Sequence, residues 1–101
     1  MTLMIVRLSD GLPEHRVPGF VEAAARSLRE YDLALRIGPR LVALVLAETG
    51  ASGGEAVRRR LEAAYPVSFS TGVAVYPDET TDPDELIRLA RERAESVLKA
   101  V

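Results

Sequence analysis

Apolar and polar positions alternate between two periods along this chain, and the changes of period mark its elements. Residues 3 to 8, LMIVRL, are β-branched and apolar and stop at Ser9-Asp10-Gly11, which predicts a first strand ending in a turn. After Pro18-Gly19 the period becomes helical: Phe20, Val21, Ala24 and Leu28 share a stripe, while Glu22, Arg26, Arg29 and Glu30 lie elsewhere on the wheel. This amphipathic helix is expected to end near Tyr31. Two apolar runs, Leu33 to Ile37 and Leu41 to Ala47, flank Gly38-Pro39 and predict a hairpin, because glycine and proline favour the reversal.

Ser52-Gly53-Gly54-Glu55 has the form of a capping box opening a second helix that runs to about Ala64. Val67 to Tyr76 then alternates Val67, Phe69, Thr71, Val73 and Val75 with Ser68, Ser70, Gly72 and Ala74, a strand with one bulky and one small face. Asp82-Pro83-Asp84-Glu85 supplies an N-cap, a first-turn proline and early carboxylates for a last helix reaching nearly to Val101. The order β-α-β-β-α-β-α implies an α+β fold. It is a ferredoxin-like βαββαβ antiparallel sheet with its helices on one face, extended by a C-terminal helix and read as one domain over 1–101.

Composition narrows the function classes. With 48% hydrophobic and 28% charged residues and a net charge of −2, the chain reads as one soluble globular domain. Its longest apolar runs fall far short of the roughly 20 residues a membrane span needs, so no membrane role and a cytoplasmic location are the expectations. Arginines are interleaved with Asp and Glu and Lys99 is the only lysine, a pattern without the net positive face that nucleic acid requires. There is no cysteine, and the single His15 sits in a Pro/Gly-rich loop without an evident second ligand, so no metal site or cofactor is expected. Ser68, Ser70 and Thr71 have no nearby base, and Gly53-Gly54 lacks the lysine of a phosphate loop; no nucleophilic catalytic set emerges.

Two segments carry a family resemblance. Arg29 to Leu46, REYDLALRIGPRLVALVL, resembles the region around the signature hairpin of GGDEF (diguanylate cyclase) domains, with Asp32, Arg36 and Gly38 on the pattern. Val67 to Pro77, VSFSTGVAVYP, is similar to the family's late strand, and Asp84-Glu85-Leu86 with Ala90 to the start of its last helix. The likeness spans Met4 to Lys99.

The resemblance also implies where this chain departs. Cyclase chemistry needs carboxylates that hold divalent metal beside a triphosphate. The strand-one positions matching the family's acids carry Arg7 and Ser9, with Asp10 one position off; the hairpin has Pro39 for glycine, Arg40 for the metal-side acid and Leu41 for the following glutamate, with Glu48 at the far end of the strand. A guanidinium in place of a carboxylate inverts the local charge, and proline removes a backbone donor. The implied reading is a degenerate, catalytically inactive GGDEF-like regulatory module, bacterial and of the signalling type, with no catalytic residue.

What the resemblance leaves standing is Arg29-Glu30-Tyr31-Asp32, which fits the family's RxxD inhibitory site, with Arg60 at the position of a further arginine of that site. Arginine forks pair with phosphate or guanine edges and aspartate accepts from guanine N–H groups, so Arg29, Asp32 and Arg60 form a candidate site for cyclic di-GMP or a related nucleotide. Against this stands a purely structural role: Asp32 capping a junction, Arg29 and Arg60 on solvated faces. The alternative function is a structural or protein-interaction domain. In it, the sheet face with Ser68, Ser70, Gly72, Ala74, Leu3 and Ile5, lacking the family's preceding helix, is left uncovered and contacts a protein partner or a second copy. Arg93, among Leu86, Leu89, Ala90 and Val97 on the last helix, would reach the rim or a partner's carboxylate.

Overall fold

The computed structural model describes residues 1–47 and 51–99, with backbone alone for 51–53 and 96–99. Strand β1 (Thr2–Leu8) is followed by a single 3-10 turn at Glu14–Arg16, helix α1 (Val17–Arg26), strands β2 (Leu33–Gly38) and β3 (Leu41–Leu46), helix α2 (Ala51–Ala64), strand β4 (Phe69–Val75) and helix α3 (Pro83–Lys99). The strands form one sheet in the order β2-β3-β1-β4 with every neighbour antiparallel. This is the ferredoxin-like βαββαβ arrangement with a further helix, as the element order implies.

β1 lies at the centre and is buried along nearly its whole length, which is why its sequence reads as a continuous apolar run rather than as an alternation. Met4, Val6 and Leu8 point to one face and meet Val42, Leu44 and Leu46 of β3, Phe20 and Ala24 of α1, and Val57 and Leu61 of α2. On this face α1 packs against β2, and α2 against β4 and β1. The bulky side of β4 contributes Phe69 and Val73 here; the Phe69 ring is 5.7 Å from that of Phe20, which in turn meets Tyr65 edge to face at 5.7 Å.

Leu3 and Ile5 point the other way, and there α3 lays Leu86, Ala90 and Ala94 over β1 and β4. The small side of β4 is what admits it. A Cβ on Gly72 would stand 2.1 Å from the Ala90 carbonyl oxygen and 2.3 Å from the Ala94 nitrogen, so only glycine lets the helix approach this closely. Buried Ser70 donates its hydroxyl to the Ala94 carbonyl at 2.8 Å.

The helices of the βαββαβ unit, α1 and α2, share one face as expected, and the further helix α3 takes the other. The structure corrects three expectations. The face with Ser70, Gly72, Ala74, Leu3 and Ile5 is therefore not uncovered, since α3 lies on it; its opening is displaced to the β2–β3 half. Helix α1 stops at Arg26 instead of near Tyr31, because the Ser27 hydroxyl donates to the Ala23 carbonyl at 3.0 Å while its N–H donates to Ala23 and Ala24. Residues 29–32 then turn the chain into β2. Finally, Ser52 stands inside α2 rather than before it, with its side chain outside the described residues, and Glu55 pairs with Arg58 and Arg59. The cap of α3 is as expected, Asp82 accepting from the Asp84 N–H at 3.0 Å.

Candidate functional site

Three places hold the residues singled out from sequence. The first is the end of the sheet where β1 finishes and the β2–β3 hairpin turns. The Leu8 N–H donates to the Arg40 carbonyl at 2.8 Å, so the hairpin tip lies beside the β1 terminus. Arg40 donates from Nε to the Leu12 carbonyl at 3.0 Å. Arg36 donates from Nε to the Gly38 carbonyl at 3.1 Å and from Nη2 to the Pro39 carbonyl at 3.0 Å, with Glu14 at 3.3 Å. Guanidiniums thus brace both the hairpin turn and the loop after β1. Arg7 lies 3.9 Å from Asp10, and Ser9 accepts from the Gly11 N–H at 3.2 Å. Arg7, Ser9, Asp10, Ser68 and Phe69 line a half-open hollow of about 250 Å³ at this end. Among the described residues no group of three or more His, Asp or Glu side chains is placed to hold a metal ion. Asp10 is exposed, Glu48 lies outside the described residues, and His15 is exposed on the 3-10 turn.

The second place is the entry to β2. One Asp32 carboxylate oxygen accepts from the Arg29 N–H at 3.1 Å and the other from the Ala47 N–H at 2.9 Å, while the Asp32 N–H donates to the Arg29 carbonyl at 3.0 Å. The side chain ties the turn of residues 29–32 to the end of β3. Each oxygen keeps a second lone pair, so the carboxylate can still accept from a ligand. The Arg29 and Arg60 guanidiniums are exposed, and neither has an ion pair or side-chain hydrogen bond among the described residues. Arg60 rides on α2, on the same side of the sheet as α1. Arg29 and Asp32 are joined through the backbone; no bond joins Arg60 to either.

The remaining helix arginines are engaged differently. Arg58 bridges Glu55 and Glu62, and Arg88 bridges Glu85 and Glu92; these pairs hold the Glu55 and Glu85 carboxyls below the usual carboxylate range. Arg93 reaches the exposed rim, where it donates to Glu79 at 2.9 Å and to the Val73 carbonyl at 2.7 Å. The Glu79 carboxylate also accepts from the Val75 N–H at 2.8 Å, and the Arg93 hydrogen bond, then that backbone bond, lower its pKa. Glu79 was not singled out from sequence; a lone glutamate in a polar loop carries no periodic signal.

The third place is the half of the α3 face that α3 leaves open, where Leu3, Ile5, Leu35, Ile37, Ala43 and Val45 floor a groove of about 390 Å³ with Ile87 and Arg91 as its wall. Sequence reading put the exposed face on β4 instead, because it did not assign α3 to a side.

No protein-family model and no curated protein matches this chain. Solved structures do. An EAL/GGDEF domain protein of M. capsulatus superposes with a TM-score of 0.81 at 16% identity, covering 98% of this chain and 78% of that one. A GGDEF domain from Pseudomonas aeruginosa gives 0.76 at 22% identity, over 99% of this chain and 72% of its own. A DGC protein of Thermotoga maritima gives 0.74 at 17%, over 92% and 76%. The chain therefore has a GGDEF-like fold, as its two sequence segments suggest. No helix among the described residues is long and apolar enough to cross a membrane.

Proposed function

We propose that this chain is a GGDEF-like regulatory module that does not cyclise GTP and that binds a cyclic dinucleotide, cyclic di-GMP being the first to test, through Arg29, Asp32 and Arg60. The observation that carries the binding reading is the contrast at β2: Asp32 is fixed by two backbone N–H groups, while Arg29 and Arg60 are exposed guanidiniums without an ion pair among the described residues. A ligand phosphate or guanine edge gains a charge-assisted contact there without first breaking an internal salt bridge.

The non-cyclising part is supported at the hairpin. There Arg36 and Arg40 bond to backbone carbonyls and Arg7 faces Asp10, so cations occupy the end of the sheet where a metal-dependent cyclase would need carboxylates. Isothermal titration of cyclic di-GMP into the domain, with GTP plus magnesium as the control ligand, tests both parts. Micromolar binding abolished by Arg29→Ala is the expected result; heat-silent titrations with both ligands would overturn the binding reading. The alternative, an interaction domain without nucleotide, draws on the open apolar groove beside α3.

A further inference from the structure

From the shape of the α3 face we propose that it is a homodimer interface, in which two copies interlock through the β2–β3 half that α3 leaves bare. On the opposite face two helices lie side by side across the four strands; on this one α3 covers β1 and β4 alone. What remains is a step: a sheet floor, with the flank of α3 rising beside it. Leu33, Leu35 and Ile37 of β2 stand on the floor 57%, 52% and 46% exposed, and Ile87 on the flank is 45% exposed. The register aligns Leu33 with Val45 and Leu35 with Ala43, so the bare floor is the continuous apolar side of β2 and β3, ending where Leu3 and Ile5 of β1 are buried beside α3. These are large aliphatic side chains gathered on one patch, not scattered singly.

The step selects its own occupant. A helix on a sheet and a sheet on a sheet both stand about 10 Å above the layer beneath. Under a two-fold axis running along the strands above β2 and β3, the bare half of a second copy fits the missing half-layer of the first. Each α3 then lies against the partner's edge strand. The arrangement is isologous, as a closed dimer requires. It also covers the edge of β2, whose outward backbone groups have no strand neighbour among the described residues and would otherwise template further pairing. Direct edge-to-edge pairing through β2 is disfavoured by the register shift between Arg36 and Gly38 and by Arg36 folding back over the turn.

Floor, flank and edge, each about 20 Å by 10 Å for six-residue strands, give on the order of 600 Å² before side-chain relief. This approaches the roughly 800 Å² per partner of stable dimers. Arg91 and its partner Glu95, 3.5 Å apart on the flank, put one charge of each sign beside the partner's edge rather than a like-charged pair.

Sedimentation equilibrium of the unmodified chain from about 1 to 500 µM is expected to show a monomer–dimer equilibrium. Leu35→Lys and, separately, Ile87→Glu should each weaken it by about 100-fold or more. Both positions are half-exposed in the single chain, so the variants should keep the parent's circular dichroism spectrum; a variant that loses it is replaced by the milder Leu33→Thr, expected to weaken the dimer about 10-fold. A chain that stays monomeric across the range overturns the proposal. So does a dimer that the folded variants leave intact, since its interface would lie elsewhere. None of these outcomes depends on whether a nucleotide binds at Arg29.

Discussion

Gly72 of β4 lies directly beneath Ala90 of α3, so close that a methyl group on the glycine would overlap the Ala90 carbonyl oxygen at 2.1 Å. The contact is backbone against backbone, and no side-chain rotation can relieve it. Gly72→Ala is therefore expected to lift α3 off the sheet and destabilise the fold by about 3 kcal/mol or more. Gly54→Ala on α2 is the comparison: its methyl would meet Val73 at 3.2 Å and Met4 at 3.4 Å, both side chains able to shift, and alanine gains helix propensity. Urea midpoints for the two variants should differ clearly, with Gly54→Ala within about 1 kcal/mol of the parent.

The Arg93–Glu79 pair ties the loop after β4 to α3, and its carboxyl titrates below the usual range. A folded-state pKa lowered in this way adds stability that is present above the unfolded carboxylate pKa and is lost as pH falls through the folded value. Both side chains remain partly exposed, so the contribution is about 1 kcal/mol or less. Glu79→Gln should lower stability at pH 7, and the gap to the parent should close as pH drops below the ordinary carboxylate range. A gap that persists undiminished at pH 2 would mean the pair contributes packing and not charge.

Asp32 and Arg29 separate structure from binding. Asp32→Ala removes two acceptors from the Arg29 and Ala47 N–H groups and is expected to cost about 1 to 2 kcal/mol in thermal or urea unfolding. Arg29→Ala removes an exposed guanidinium and keeps the backbone bonds, so its stability should stay within about 0.5 kcal/mol of the parent. On the proposed function, Arg29→Ala loses cyclic dinucleotide binding all the same. Equal melting curves with equal titration curves would assign Arg29 to the solvated surface.

Incubation with GTP and magnesium, followed by chromatography of the nucleotides, should return GTP unchanged. The double variant Pro39→Gly, Arg40→Asp should behave in the same way, because Arg7 still sets a guanidinium at the end of β1. Formation of a cyclic dinucleotide by the parent chain would refute the non-cyclising reading.

How much of this was legible in the sequence depends on the range of the interaction. Element types followed from periodicity: the alternation around Val73, the helical stripe of Phe20 and Ala24, the Gly38-Pro39 reversal and the Asp82 cap each depend on residues within a few positions of one another. The GGDEF-like likeness was also legible, through two segments whose separation in sequence matches that fold. The C-terminal end of α1 and the start of α2 were misplaced, because the Ser27 and Glu55 side chains had alternative local partners of similar strength.

The chain by itself determined that β1 is apolar on both sides and that β4 has a bulky and a small face, since covalent order alone sets which residues alternate. Only the tertiary structure decided which helix meets which face. An amphipathic stripe is satisfied by any apolar surface, and α3 took the small side of β4 because Gly72 lets its backbone come close enough to bury Leu86, Ala90 and Ala94. That choice covered the half of the sheet expected to be open, opened the half at Leu33, Leu35 and Ile37, and drew Arg93 to Glu79. Each is a contact between residues far apart along the chain, fixed by close packing that no local pattern encodes.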